Sequence, residues 1–176
     1  MIKRGFIGIC IFLLIISTVA ADLANFPKMF VRAGKADVVV IVGKAAQAED
    51  VVGAIDIVTM LQFETGQNRQ IDVARLDTEV DDLYEQNSIV VGGPCANSAA
   101  ARLLDFPANC LEGFEVGNSI IRLYEFPNNR KSILVAGMTA LDTRRATTVL
   151  ANYKDYNLSG TEMRIAGVSL TDVQIS

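Results

Sequence analysis

The chain of 176 residues has no histidine, no tryptophan, three cysteines and four prolines. Without histidine, serine–histidine and cysteine–histidine nucleophile systems are excluded. The commonest metal ligand is missing too, and two or three thiolates alone do not build a four-ligand zinc site. Three cysteines are too few for a disulfide-dense scaffold. No proline- or serine-rich linker and no low-complexity run interrupts the text, so the chain is expected to hold one main domain. Basic charge is also scarce: 16 Lys and Arg stand against 20 Asp and Glu, a formal charge of −4. A nucleic-acid binder needs a basic footprint, and that class is excluded.

What is present begins with an export signature. Lys3 and Arg4 precede an apolar run over 5–19, and Val19-Ala20-Ala21 supplies small residues where a signal peptidase cuts. The run is shorter than the roughly 20 apolar residues that span a bilayer. We therefore expect 1–21 to be a signal peptide, 22–176 to be the mature domain, and no membrane span to remain after cleavage. Loss of Lys3 and Arg4 takes the formal charge from −4 to −6. Cys10 lies inside the apolar run. Cys95 and Cys110 are left as an even pair on an exported chain, which predicts a disulfide between them.

Beyond residue 36, strands and helices alternate, the pattern of an α/β domain. The run 36–42 (ADVVVIV) reads as a strand buried on both faces. Residues 48–62 read as a helix apolar nearly all round and therefore sandwiched. Further strands are expected at 70–76 and 88–91, with a short acidic helix or turn over 77–85 and a helix over 96–104. A hairpin is expected from 119–126 and 131–136 around Pro127-Asn128-Asn129-Arg130. Thr139 and Asp142 form a capping box that opens a helix over 140–153. A strand pair at 162–166 and 168–175 ends the chain, and 23–34 packs as an N-terminal arm. The expected architecture is a single layered domain with a mostly parallel sheet, one hairpin in the C-terminal half, and helices on both faces.

Few residues look chemical. Gly92 and Gly93 lie between a strand and a helix, where backbone N–H groups could hold an anion with Asn97. The spacing matches neither a dinucleotide fingerprint nor a P-loop. A tight turn with Asn97 or Ser98 as the helix cap is the preferred reading. Asp56, inside the apolar helix, calls for a partner, and Arg144 and Arg145 are the candidates for a buried ion pair, with Asp142 as their other option. Asp81 and Asp82 form no acid–base pair that can be placed. Asn157-Leu158-Ser159 is a candidate glycosylation sequon. No catalytic constellation and no cofactor motif is found, and calcium bridging has no motif behind it.

Several stretches together resemble the archaeal S-layer protein family of the euryarchaeal type. They are DLANFP at 22–27 with Phe30-Val31, VVVIVG at 38–43, DVVGAIDI at 50–57, VVGGPCAN at 90–97, Cys110 with Glu112-Gly113-Phe114, LVAG at 134–137, DTRRA at 142–146, VLANY at 149–153 and LSGTE at 158–162. Family members carry a large region between these two halves, whereas here 67–76 joins them directly. The resemblance implies a non-enzymatic protein of the cell surface. It also implies paired Cys95 and Cys110, and partners that are copies of itself or other cell-envelope proteins. No catalytic residues carry over.

Overall fold

Runs of β-branched residues set the sheet. The computed structural model describes residues 21–66, 73–170 and 172–176, so the expected signal peptide and Cys10 lie outside the described residues, apart from Ala21. In chain order the elements are β1 (Val31–Arg32), β2 (Lys35–Ala36), β3 (Val39–Val42), α1 (Ala48–Thr65), β4 (Ala74–Leu76), β5 (Ser88–Val91), α2 (Ser98–Leu103), β6 (Asn118–Glu125), β7 (Lys131–Gly137), α3 (Ala140–Ala151), β8 (Glu162–Gly167) and β9 (Val173–Ile175). β1 and β2 form a separate antiparallel ribbon, and the other strands form one seven-stranded sheet in the order β4-β3-β5-β7-β6-β8-β9.

This sheet is mixed. β4, β3, β5 and β7 run parallel, while β6, β8 and β9 join them antiparallel. The parallel part is thus confined to one half, and the sheet is less parallel than the sequence pattern suggested. The reason lies in the connections. β5 leads through α2 to β6, which overshoots by one position, and the hairpin at 126–130 returns β7 into the gap beside β5. β7 then crosses through α3 to β8, which lies beyond β6 and pairs with it antiparallel, and a short return pairs β9 with β8.

Helices cover both faces. Alternate side chains of the central strands divide accordingly: Val40, Ile89, Val91, Ile133 and Val135 meet α1 and α3, while Ile41, Val90, Leu134 and Ala136 meet α2 and the segment around Val80 and Leu83. β5 is buried at all four positions, as a continuous apolar run in a parallel sheet should be. The N-terminal arm closes one end. Leu23, Phe26 and Phe30 are buried, and Phe26 meets Tyr153 edge to face with ring centroids 5.5 Å apart.

α1 departs from expectation in one respect. It packs on α3 and the sheet through Ala54, Ile57 and Leu61, yet Val51, Val52, Ile55 and Phe63 stand in solvent. The helix is covered on one side and not sandwiched. α1 and α3 approach closely because Gly53 faces Thr147, and a Cβ at Gly53 would fall 2.3 Å from the Thr147 hydroxyl oxygen.

Candidate functional site

Three parallel strands deliver their C-terminal ends to one edge of the domain. β3 continues into Gly43-Lys44, β5 into Gly92-Gly93, and β7 into Met138-Thr139. The chain leaves β3 toward β4 in one direction and β5 toward β7 in the other, so strand order reverses between β3 and β5. In open α/β sheets this reversal leaves a crevice outside the strand ends. Here it measures about 420 Å³ and lies between the first turns of α1 and α3 and the Cys95–Cys110 disulfide.

The turn after β5 is held from several sides. Gly92 has φ +108°, a conformation glycine tolerates and other residues rarely adopt, and its N–H donates to the Val135 carbonyl at 3.0 Å. The Ala96 and Asn97 N–H groups both donate to the Gly93 carbonyl at 3.0 Å. Asn97 is buried, and its amide donates to the carbonyls of Ile41 and Val91 while its oxygen accepts from the N–H of Ala99 at 2.9 Å. Asn97 thus ties β3 to β5 and caps α2. The donors of Gly92 and Asn97 named as an anion cradle are occupied within the protein.

Asp77 is a further bracket that sequence reasoning missed. One carboxylate oxygen accepts the Lys44 N–H at 2.8 Å and the other the Ser98 N–H at 2.7 Å, linking the loop after β3 to the start of α2. Burial alone would raise its pKa, but these backbone donors outweigh it and hold the carboxyl below its usual range. The only sequence signal was an aspartate opening a short acidic segment.

Asp50, in the first turn of α1, lines the crevice and is only 3% exposed. Its Oδ2 accepts the Gln47 N–H at 3.2 Å, while Oδ1 has no partner. The Thr143 side chain lies against this carboxylate, and its hydroxyl also contacts the Thr139 carbonyl at 3.3 Å and accepts from the Gly137 N–H at 3.0 Å. Burial pushes the Asp50 carboxyl above its usual range, against the hydrogen bonds from the Gln47 N–H and the Thr143 side chain. The sequence showed only an acid near a helix start.

The remaining expected site residues divide as follows. Arg144 meets Asp56 at 2.5 Å, but the Asp56 side chain is 40% exposed, so this pair is not buried. The buried ion pair is Arg145 with Asp142, at 2.8 Å and with both side chains withdrawn from solvent. The helix turns Asp56 to the edge of the α1–α3 contact, which explains the difference. Asn157 lies exposed in the segment before β8. A second concavity, wider and more open at about 570 Å³, separates the C-terminal ends of α1 and α3. Two of its acids are paired, Asp56 with Arg144 and Glu64 with Lys154.

Among the described residues no group of three or more Cys, Asp or Glu is placed to hold a metal ion, and no helix is long and apolar enough to cross a membrane. Residues 22–65, from the N-terminal arm through α1, match the S-layer like family, outer domain. A comparison with curated proteins finds no match.

Proposed function

From this S-layer relationship over residues 22–65, we propose that the chain is a non-enzymatic protein of the outer cell surface. It would serve as a surface-layer component or accessory domain that acts by self-association or by binding other envelope proteins. The observation that carries this reading is the outer face of α1, the helix inside the matched segment. Val51, Val52, Ile55 and Phe63 share about one third of the helix circumference and all stand in solvent. Single exposed apolar residues are ordinary, but a row of them on one helix face favours contact with another surface. The mechanism is geometric: a rigid α/β core presents a fixed face, and many modest contacts add when they repeat through an array.

In this reading residues 1–21 act as a secretory signal, and the mature domain starts near Ala21 or Asp22. The Cys95–Cys110 disulfide suits an oxidising space outside the cytoplasm. Exposed Asn157 is a glycan acceptor. The second reading, a binding module that holds a small anion or cell-wall polymer at the Gly92-Gly93 turn, draws no support from the occupied donors of Gly92 and Asn97.

The test is sedimentation velocity on protein isolated from its own cells, with and without calcium, beside an Ile55→Lys variant. Large assemblies that shrink in the variant, at an unchanged unfolding midpoint, support the proposal. A strictly monomeric wild-type protein overturns it.

A further inference from the structure

We infer that α1 is a self-complementary contact: the outer faces of α1 from two copies of this chain pack antiparallel about a two-fold axis, with Glu49 of each copy meeting Lys154 of the other. This rests on the self-association reading above and adds to it the partner, the register and the ion pair that fixes both.

The face is uncharged from end to end. Successive helical residues turn by about 100°, which puts Val51, Val52, Ile55, Thr59 and Phe63 within one stripe, and all five stand in solvent. The two valines lie near the start of α1, and Phe63, 80% exposed, lies in its last turn. A two-fold axis midway between Ile55 and Thr59 sets Val51 and Val52 of one copy against Phe63 of the other, and Ile55 against Thr59. The bulky ring at one end therefore falls on the small side chains at the other. A parallel pair would stack ring on ring and hold the valine ends apart.

The charges at the two ends select the partner. α1 holds four acids and no basic residue, and of the acids only Glu49 is exposed; it makes no ion pair among the described residues. At the opposite end Lys154, its side chain 62% exposed, pairs with Glu64 and stands 6.0 Å from the centre of the Phe63 ring. An ammonium group has three donors, so the Glu64 pair leaves others for a second carboxylate. The register that seats Phe63 on the valines brings Glu49 level with the last turn of the other copy's α1, where Lys154 sits, and the two-fold axis repeats the pair. Antiparallel packing also opposes the helix dipoles, whereas a parallel pair would gather the N-terminal acids of both copies at one end. A face with an acid at one end and a cation at the other is complementary to itself, as an isologous contact requires. One helix face is small beside the roughly 800 Å² per partner of a stable interface, so the pair is weak alone and strengthens by repetition through an array.

The test uses the full protein, disulfide intact, in sedimentation equilibrium over a concentration series and in cysteine cross-linking. Glu49→Lys and Lys154→Glu should each weaken association about three- to tenfold, at an unchanged unfolding midpoint, because two symmetric pairs are lost at once. The Glu49→Lys, Lys154→Glu double variant should return to within about twofold of wild type. An Ile55→Cys protein mixed with a Thr59→Cys protein should form disulfide-linked heterodimers, since those positions face each other. Val51→Cys should not cross-link to itself, because the two copies of residue 51 lie about 18 Å apart along the helix axis, beyond the roughly 7 Å between Cα atoms that a disulfide spans. A wild type that stays monomeric at every concentration overturns this inference and the self-association reading together. Assemblies unchanged in Glu49→Lys, a double variant as weak as the single ones, absence of the 55–59 cross-link, or efficient self-linking of Val51→Cys overturn the antiparallel α1 pair alone and leave self-association through another face.

Discussion

Arg145 and Asp142 face each other at 2.8 Å across one turn of α3, with both side chains almost wholly removed from water. Asp142 also accepts the N–H groups of Thr139 and Gly117, and Arg145 donates to the Gly117 carbonyl. The pair therefore joins the start of α3 to the start of β6. Removing one partner strands a buried charge. Asp142→Asn should lower the unfolding free energy by about 3 kcal/mol, measured by urea denaturation, whereas Arg144→Gln at the half-exposed Asp56 pair should cost under about 1 kcal/mol.

Asp77 makes a pH-dependent contribution of determinate sign. Its carboxyl titrates below its ordinary value of 3.8 in the folded protein, so the unfolded chain binds the proton more readily. The stabilisation is fully present above pH 3.8 and is lost as pH falls through the lower folded value. Asp77→Asn should cost about 2 kcal/mol near neutral pH, and the difference from wild type should close on acidification. Stability curves collected from pH 7 to pH 2 check this.

Asp50 should behave in the opposite sense. Burial raises its carboxyl above 3.8, so the folded protein holds more protons than the unfolded chain across the window from 3.8 up to the folded value. Stability contributed by this group is greatest below that window and falls as pH rises through it. Asp50→Asn should remove that slope, an effect visible in the same stability series as a flatter profile above pH 4.

The α1–α3 contact allows a test in which two effects compete. Gly53→Ala gains up to about 1 kcal/mol of helix propensity. The new methyl, however, would overlap Thr147, whose hydroxyl oxygen lies 2.3 Å from the Cβ position. Overpacking of that kind costs about 1–3 kcal/mol and wins. A lower thermal midpoint is expected, with partial recovery in a Gly53→Ala, Thr147→Ala double variant, which removes both the hydroxyl and the methyl that the new group would meet.

Reduction of the Cys95–Cys110 disulfide should act locally as well as globally. The two cysteines are 15 residues apart; the chain between them exposes Phe106, and Leu111 stands exposed just beyond Cys110. Closing such a loop is worth about 3 kcal/mol in the chain-entropy view. With the disulfide reduced, hydrogen exchange should accelerate over 105–116 first, while β5 and β7 remain protected by the core.

Much of the scaffold was readable from local chemistry. β5 falls at 88–91 because an unbroken SIVV run suits only a doubly covered strand, and Thr139 with Asp142 marks the start of α3 because their side chains satisfy its first N–H groups. The candidate site was less legible. Gly92-Gly93-Pro94 resembles a ligand loop by composition, but whether its donors are free depends on Val135 and on Ile41, remote carbonyls that no local spacing reveals. Asp50 looked like an ordinary acid in a first helical turn, and its isolation arises only when α3 and the disulfide-linked loop close over it.

The sequence by itself determined the α/β alternation, the helix caps, the acidic balance and the cysteine pair, because each follows from residue types over a few positions. The tertiary structure alone decided that Asp142 rather than Asp56 holds the buried arginine, that β7 inserts between β5 and β6, and that the outer face of α1 stays open. Those outcomes depend on which surfaces meet. Apolar composition states how much surface must be covered, but the direction in which a helix faces its neighbours is set by packing among segments far apart in the chain.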